Sequence, residues 1–145
     1  MNRRTAAEQA ERKSRARALS YLGLAALLAV LMVVVCQGLG GDFAQGLWAG
    51  VLLGCALNLM PIQRWLRPRS EVAQLMEDEV TRDYRRSSST AGFWVAIGTA
   101  IILGLPAREG FAIDGWLMGQ LVASAGTGAA MVTFAFLELR ALRDA

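Results

Sequence analysis

The chain has 145 residues, 54% of them hydrophobic, with 15 Lys and Arg against 12 Asp and Glu and no histidine. That length holds one domain and excludes a second globular one. The lack of histidine excludes imidazole acid–base catalysis and His-type metal sites, and the excess of +3 lies mostly beside apolar runs, where anionic lipid headgroups account for it.

The first 17 residues carry Arg3, Arg4, Arg12, Lys13, Arg15 and Arg17 with Glu8 and Glu11, a basic, Ala-rich segment expected to run as a helix into the first apolar run. No direct nucleic-acid binding is expected of it, because a solvated juxtamembrane helix explains the same charges. Then come four stretches without Asp, Glu, Lys or Arg: Ala18–Gly41, Phe43–Gln63, Ser87–Ala107 and Gly115–Leu137. Each has 21 to 24 residues, or roughly 31–36 Å of helix at about 1.5 Å per residue, enough to cross a hydrocarbon core of about 30 Å. A soluble bundle would need a polar face on each helix, and Leu22–Val35 offers none. The first run is too long for a signal peptide and lacks an A-x-A exit. Cys36 and Cys55 are expected to be free thiols, their depths differing by about 10 Å.

Fourteen of the fifteen basic residues lie in 1–17, 64–86 and 138–145, and only Arg108 lies on the other flank. Cytoplasmic loops accumulate Lys and Arg, so both termini and the central loop are expected inside a bacterial inner membrane. Tyr21, Trp48, Trp65, Phe93, Trp94 and Trp116 fall near the ends of the runs, where interfacial anchoring explains them.

Small residues recur every four positions in three spans: Gly46, Gly50, Gly54 and Asn58; Gly92, Ala96, Ala100 and Gly104; Gly115, Gly119, Ala123 and Thr127. Each set lines one helix face, and close approach across small side chains is how helices pack in lipid. The Gly50–Gly54 pair suits intramolecular packing or a homodimer, and Asn58 is expected to hydrogen-bond across helices.

Between the second and third spans, Ser70 is suited to cap a helix whose Val72, Leu75, Met76, Val80 and Tyr84 recur at intervals of three and four. The expectation is a cytoplasmic amphipathic helix over Ser70–Arg86, continuous with the third span or hinged at the hydroxyl run Ser87–Thr90. Its polar side is acidic at the middle, Glu77, Asp78 and Glu79, and basic at Arg85 and Arg86. A lipid-binding helix is ordinarily basic on its polar face, so this charge order favours a protein partner or the bundle's own ends. Together with Asp83 the acidic run makes four helical carboxylates, which do not form an oxygen-ligand cage, and neither a metal nor a cofactor is expected.

The run Asp78-Glu79-Val80-Thr81-Arg82, then Arg85-Arg86 and Ala91-Gly92-Phe93-Trp94 opening a span, resembles small bacterial membrane proteins with a D-E-x-x-R loop before a transmembrane helix. Some of these accompany small helix-turn-helix regulators. The resemblance covers about Glu77–Gly104 and implies a membrane partner that holds or controls a cytosolic, DNA-binding regulator, with Asp78, Glu79 and Arg82 at the motif positions.

The expected fold is therefore all-α: a four-transmembrane-helix bundle with a cytoplasmic amphipathic helix between spans 2 and 3. The expected role is non-catalytic docking of a cytosolic protein through Val72, Leu75, Met76, Asp78, Glu79, Val80, Arg82 and Tyr84. The competing expectation is a small transporter or accessory subunit, its path lined by Gln37, Gln45 and Gln120 and by Ser124, Thr127 and Thr133.

Overall fold

The computed structural model describes residues 3–59, 79–108 and 114–144. All regular structure among them is helical: α1 (Arg3–Cys36), α2 (Gly41–Leu59), α3 (Glu79–Arg108) and α4 (Gly115–Asp144). Three helical segments are long and apolar enough to cross a membrane, Glu11–Cys36, Thr81–Pro106 and Gly115–Arg143, and they mark the chain as a membrane protein. The described part of α2 is not among them. Its 19 residues include Asp42, Gln45, Asn58 and four glycines, and the expected second span runs on through 60–63, outside the described residues.

The helices are stopped and started by local chemistry. At the end of α1 the Gly38 amide donates to the Val35 carbonyl and the Leu39 amide to the Val34 carbonyl, both at 3.0 Å. This pairing satisfies the orphan carbonyls of the last turn and requires a left-handed residue, supplied by Gly38 at φ 68°. Gly40, at φ 83°, turns the chain into α2, and a Cβ there would stand 2.9 Å from that of Ala44. Asp114 caps α4, accepting from the Leu117 amide at 3.3 Å through its side chain and from the Met118 amide at 2.9 Å through its carbonyl. Pro106 lacks an amide hydrogen, and α3 ends two residues later at Arg108.

Successive helices run antiparallel, so the starts of α1 and α3 meet the ends of α2 and α4. One core cluster sits at this charged end: Ala18, Tyr21, Ala25, Cys55, Met131, Phe134 and Ala135. A second, Leu28, Leu31, Met32 and Trp48, sits toward the other. The inward residues of α1, at 18, 21, 25, 28 and 32, alternate steps of three and four, the spacing of a seam between nearly parallel helices. α4 is the hub: it packs against α1, α2 and α3, most extensively against α3, whereas α2 touches only α1 and α4 to any extent. Large side chains such as Ile102 and Phe136 are 68% and 63% exposed, facing outward as a lipid-contacting surface does.

The small-residue faces behave differently from one another. α3 and α4 cross most closely where a Cβ on Gly92 would lie 2.5 Å from the Gly126 carbonyl oxygen, and one on Gly126 would lie 2.8 Å from the Ala96 Cβ. Gly104 approaches the Met118 side chain more loosely, and Ala100 is half-buried. Gly115, Gly119, Ala123 and Thr127 line a groove beside this crossing rather than the crossing itself, which falls on Gly126 and Ala130. On α2 the buried positions are Ala44, Trp48 and Cys55. Gly46, Gly50 and Gly54 face away from the described helices, with no atom of the described residues within 4 Å of where a Cβ would stand.

Replacing Gly126 by valine is expected to lower stability by about 1–3 kcal/mol, because the added methyls must displace α3 backbone. At Gly50 and Gly54 an added Cβ meets no atom of the described residues within 4 Å, and valine there is expected to leave the melting temperature of the detergent-solubilised protein near wild type. Equal losses at 54 and 126 would contradict the assigned crossing.

Candidate functional site

Of the residues expected to dock a partner, Val72, Leu75, Met76 and Asp78 lie outside the described residues, as does most of the amphipathic helix they would form. Glu79 and Val80 form the start of α3. From there α3 runs without interruption through Ser87–Thr90 into its apolar stretch, so there is no hinge at the hydroxyl run. The hydroxyls are absorbed within the helix: Ser88 Oγ donates to the Arg85 carbonyl at 2.9 Å and Thr90 Oγ1 to the Arg86 carbonyl at 3.0 Å. Arg82, Asp83 and Arg86 are exposed on this leading turn. Tyr84 is half-buried and packs on the cluster of Tyr21 and Phe134, anchoring α3 to the bundle rather than lying free for a partner.

The same end holds an ion pair that the composition of the spans does not announce. Glu138, on α4, is 3% exposed. Its carboxylate accepts from Arg17 Nε at 2.9 and 3.2 Å, from an Arg17 Nη, and from Ser14 Oγ at 2.7 Å. The Arg17 guanidinium lies over the Phe134 ring, 5.5 Å from its centroid, and the Tyr21 ring, tilted by 47°, has its centroid 4.9 Å from that of Phe134. α1 and α4 are thus locked in register where the apolar spans begin. Only the position of Glu138, just beyond the charge-free run, gave any signal, and an acidic residue there reads equally as a solvated tail.

Two expected interfacial aromatics instead point inward. Tyr21 is 7% exposed and donates its hydroxyl to the Asn58 carbonyl at 2.9 Å. Trp48 is 6% exposed and donates Nε1 to Ser124 Oγ at 2.8 Å, and that hydroxyl lies 3.4 Å from Met32 Sδ. Each has an apolar body suited to a core and one polar atom that finds a partner there. Phe93, Trp94 and Trp116 are exposed, and Trp65 lies outside the described residues. Asn58 does not reach across helices with its side chain, which bonds its own Gly54 carbonyl at 2.9 Å; the inter-helix bond uses its backbone.

Among the expected path residues, Gln120 and Ser124 are buried, Gln37 and Gln45 are exposed, and Thr127 and Thr133 are half-buried. Ser124 accepts from the Trp48 indole, while the Gln120 Nε2 is buried without a partner among the described residues. Cys36 is exposed and Cys55 buried, both as free thiols. Among the described residues no group of three or more His, Cys, Asp or Glu converges as a metal site would require. No protein-family model, no curated protein and no solved structure matches the chain.

The Arg17–Glu138 pair is asymmetric, because the arginine side chain is 34% exposed and the glutamate 4%. Arg17→Ala strands a buried carboxylate and is expected to cost on the order of 3 kcal/mol. Glu138→Gln keeps an acceptor for an arginine that can turn to water, and is expected to cost about 1 kcal/mol. Melting of the two variants side by side checks the order; a larger loss in Glu138→Gln reverses the assignment.

Proposed function

We propose that the chain is a non-catalytic protein of the bacterial inner membrane that docks a cytosolic protein through the segment leading into α3. In this reading Phe43–Gln63 forms a fourth span beside the three helices already apolar and long enough. Both termini and residues 64–86 then face the cytoplasm, by the fourteen-to-one distribution of basic residues. The docking surface comprises Val72, Leu75, Met76, Asp78, Glu79, Val80 and Arg82, and the partner implied by the D-E-x-x-R resemblance is a DNA-binding regulator.

The observation that carries this reading is the continuity of α3. A helix unbroken from Glu79 into the apolar stretch, with Tyr84 packed at its root and Arg82, Asp83 and Arg86 exposed beside it, holds the end of the docking segment at a fixed position over the membrane. A loosely tethered loop would pay ordering entropy on binding that such a helix has already met in folding. The acidic run Glu77–Glu79 supplies a charge pattern for selecting a partner over a lipid surface of the same sign.

The transporter reading retains one observation of its own, the buried Gln120 amide without a partner among the described residues. Flux in proteoliposomes lost in Gln120→Ala and unaffected by charge reversal at Asp78 and Glu79 would favour it.

For the docking reading, photocrosslinkers at Leu75 and Met76 in native membranes are expected to capture a protein with a DNA-binding module, and D78R with E79R to abolish the adduct. Adducts to lipid alone reject the assignment. In a background lacking Cys36 and Cys55, a cysteine replacing Arg82 is expected to resist membrane-impermeant reagents in intact cells and to react once the membrane is opened.

A further inference from the structure

Beside the Arg17–Glu138 pair, the charged end of the bundle contains a cavity of about 310 Å³ walled by Arg17, Ser20, Tyr21 and Leu24 of α1, Asn58 of α2 and Arg85 of α3. The volume is about ten times the roughly 30 Å³ that a water occupies in the liquid, ample for a tetrahedral oxyanion. Two guanidinium groups line it and, among the described residues, no carboxylate does. The nearby carboxylate, Glu138, is engaged by Arg17 through Nε and one Nη. Arg85 has no such answer. Its Nε is buried and finds no hydrogen-bond partner among the described residues, an arrangement that costs more for a charged donor than for a neutral one.

We propose that this cavity binds a phosphate-type oxyanion, held chiefly by Arg85 and by the face of Arg17 turned away from Glu138. The hydrogen-bond inventory selects this class. The Tyr21 hydroxyl donates to the Asn58 carbonyl, the Ser20 hydroxyl to the Ala16 carbonyl and the Asn58 amide to the Gly54 carbonyl. The two hydroxyl hydrogens and one amide hydrogen are committed, and the donors left to the cavity are the second Asn58 amide hydrogen and, chiefly, guanidinium N–H groups. A ligand that accepts and carries negative charge answers the two guanidinium groups, and a cationic amine would be repelled by them.

The depth selects the source. Arg17 is the last charge before the run 18–41, and Arg85 with Arg86 the last before 87–107, so the cavity lies where hydrocarbon gives way to headgroups. Leu24 gives it an apolar wall on the membrane side. An anionic phospholipid places its phosphate at this level, and a free phosphate ion reaches it from the aqueous side. Either occupant would bridge α1 to α3, which have no extensive packing of their own and meet mainly across α4. The site depends on neither the docking surface nor the identity of a partner.

The test uses the full chain, delipidated in detergent, with thermal melting and native mass spectrometry after adding phosphatidylglycerol, phosphatidylcholine or inorganic phosphate, at ionic strength matched with chloride. Preferential retention of phosphatidylglycerol with a raised melting midpoint identifies a lipid headgroup; a saturable response to inorganic phosphate without lipid preference identifies the free ion. In either case Arg85→Gln is expected to weaken the response about tenfold, the scale of one charge-assisted hydrogen bond. Arg86→Gln removes the same charge from an exposed neighbour and is expected to leave it unchanged. Equal retention of both lipids with no phosphate response overturns the proposal, as does an equal loss in the Arg85 and Arg86 variants. Should Arg85→Gln fail to fold, the wild-type ligand comparison and Arg85→Lys decide: the lysine variant is expected to keep the preference at reduced strength, and a wild type without preference refutes the site.

Discussion

Hydrocarbon offers no partner to a charge or to an unpaired amide, and that constraint governs how this chain is laid out. Charge is confined to the ends of the apolar runs, every described segment is helical or a short turn, and most polar side chains within the helices either bond their own backbone or meet one another inside the bundle. Ser20, Asn58, Thr90 and Thr99 take the first course, each donating to the carbonyl four residues back. Trp48 with Ser124, and Tyr21 with the Asn58 carbonyl, take the second. The Arg17–Glu138 pair stands at the boundary between the two solvents, where the arginine keeps a third of its surface exposed while the glutamate is enclosed.

The all-helical character and three membrane-length apolar helices were legible in the sequence because absence of charge over a lipid-length interval is a strong signal that needs no tertiary knowledge. Which face of each helix turns inward was not. A four-residue repeat of small side chains identifies a face on which close approach is sterically allowed, but in lipid an outward face of glycine and alanine carries little penalty. Gly46, Gly50 and Gly54 therefore satisfy the pattern while facing away, and only the Gly92 face is used for a tight crossing. On α4 the pattern at 115, 119, 123 and 127 sits one residue, about 100° of rotation, from the crossing at Gly126 and Ala130. The buried tyrosine and tryptophan were misplaced for a related reason: nearness to a span end is compatible with an interfacial anchor and with a core residue whose polar tip finds a partner.

The polar residues buried on α4 explain why this helix is the hub. Gln120, Ser124 and Glu138, with Met131 between them, are spaced by four, seven and seven and fall along one seam. Ser124 meets α2 through Trp48 and α1 through Met32, and Glu138 meets α1 through Arg17 and Ser14. Apolar packing alone tolerates sliding of one lipid-embedded helix along another, because a shifted leucine still meets leucine. A hydrogen bond displaced by one turn, about 5.4 Å, is lost. The Ser124 and Glu138 levels on α4 thus fix an axial register that the surrounding alanines and leucines leave loose.

That division of labour bears on how an event ahead of Glu79 would reach the membrane. α3 shares no buried polar pair with the rest of the bundle among the described residues; it is held by Tyr84 on the charged-end cluster and by the Gly92–Gly126 crossing. Close backbone contact at one level with a packed aromatic two turns away constrains tilt strongly and axial sliding weakly. A load applied to the leading turn of α3 would accordingly be taken up as sliding along α4, while α1, α2 and α4 keep the register set by Trp48 and Glu138. An anion bridging Arg85 to Arg17 would oppose that displacement, since it would add to α3 the kind of directional, charge-assisted tie that already joins α1 to α4.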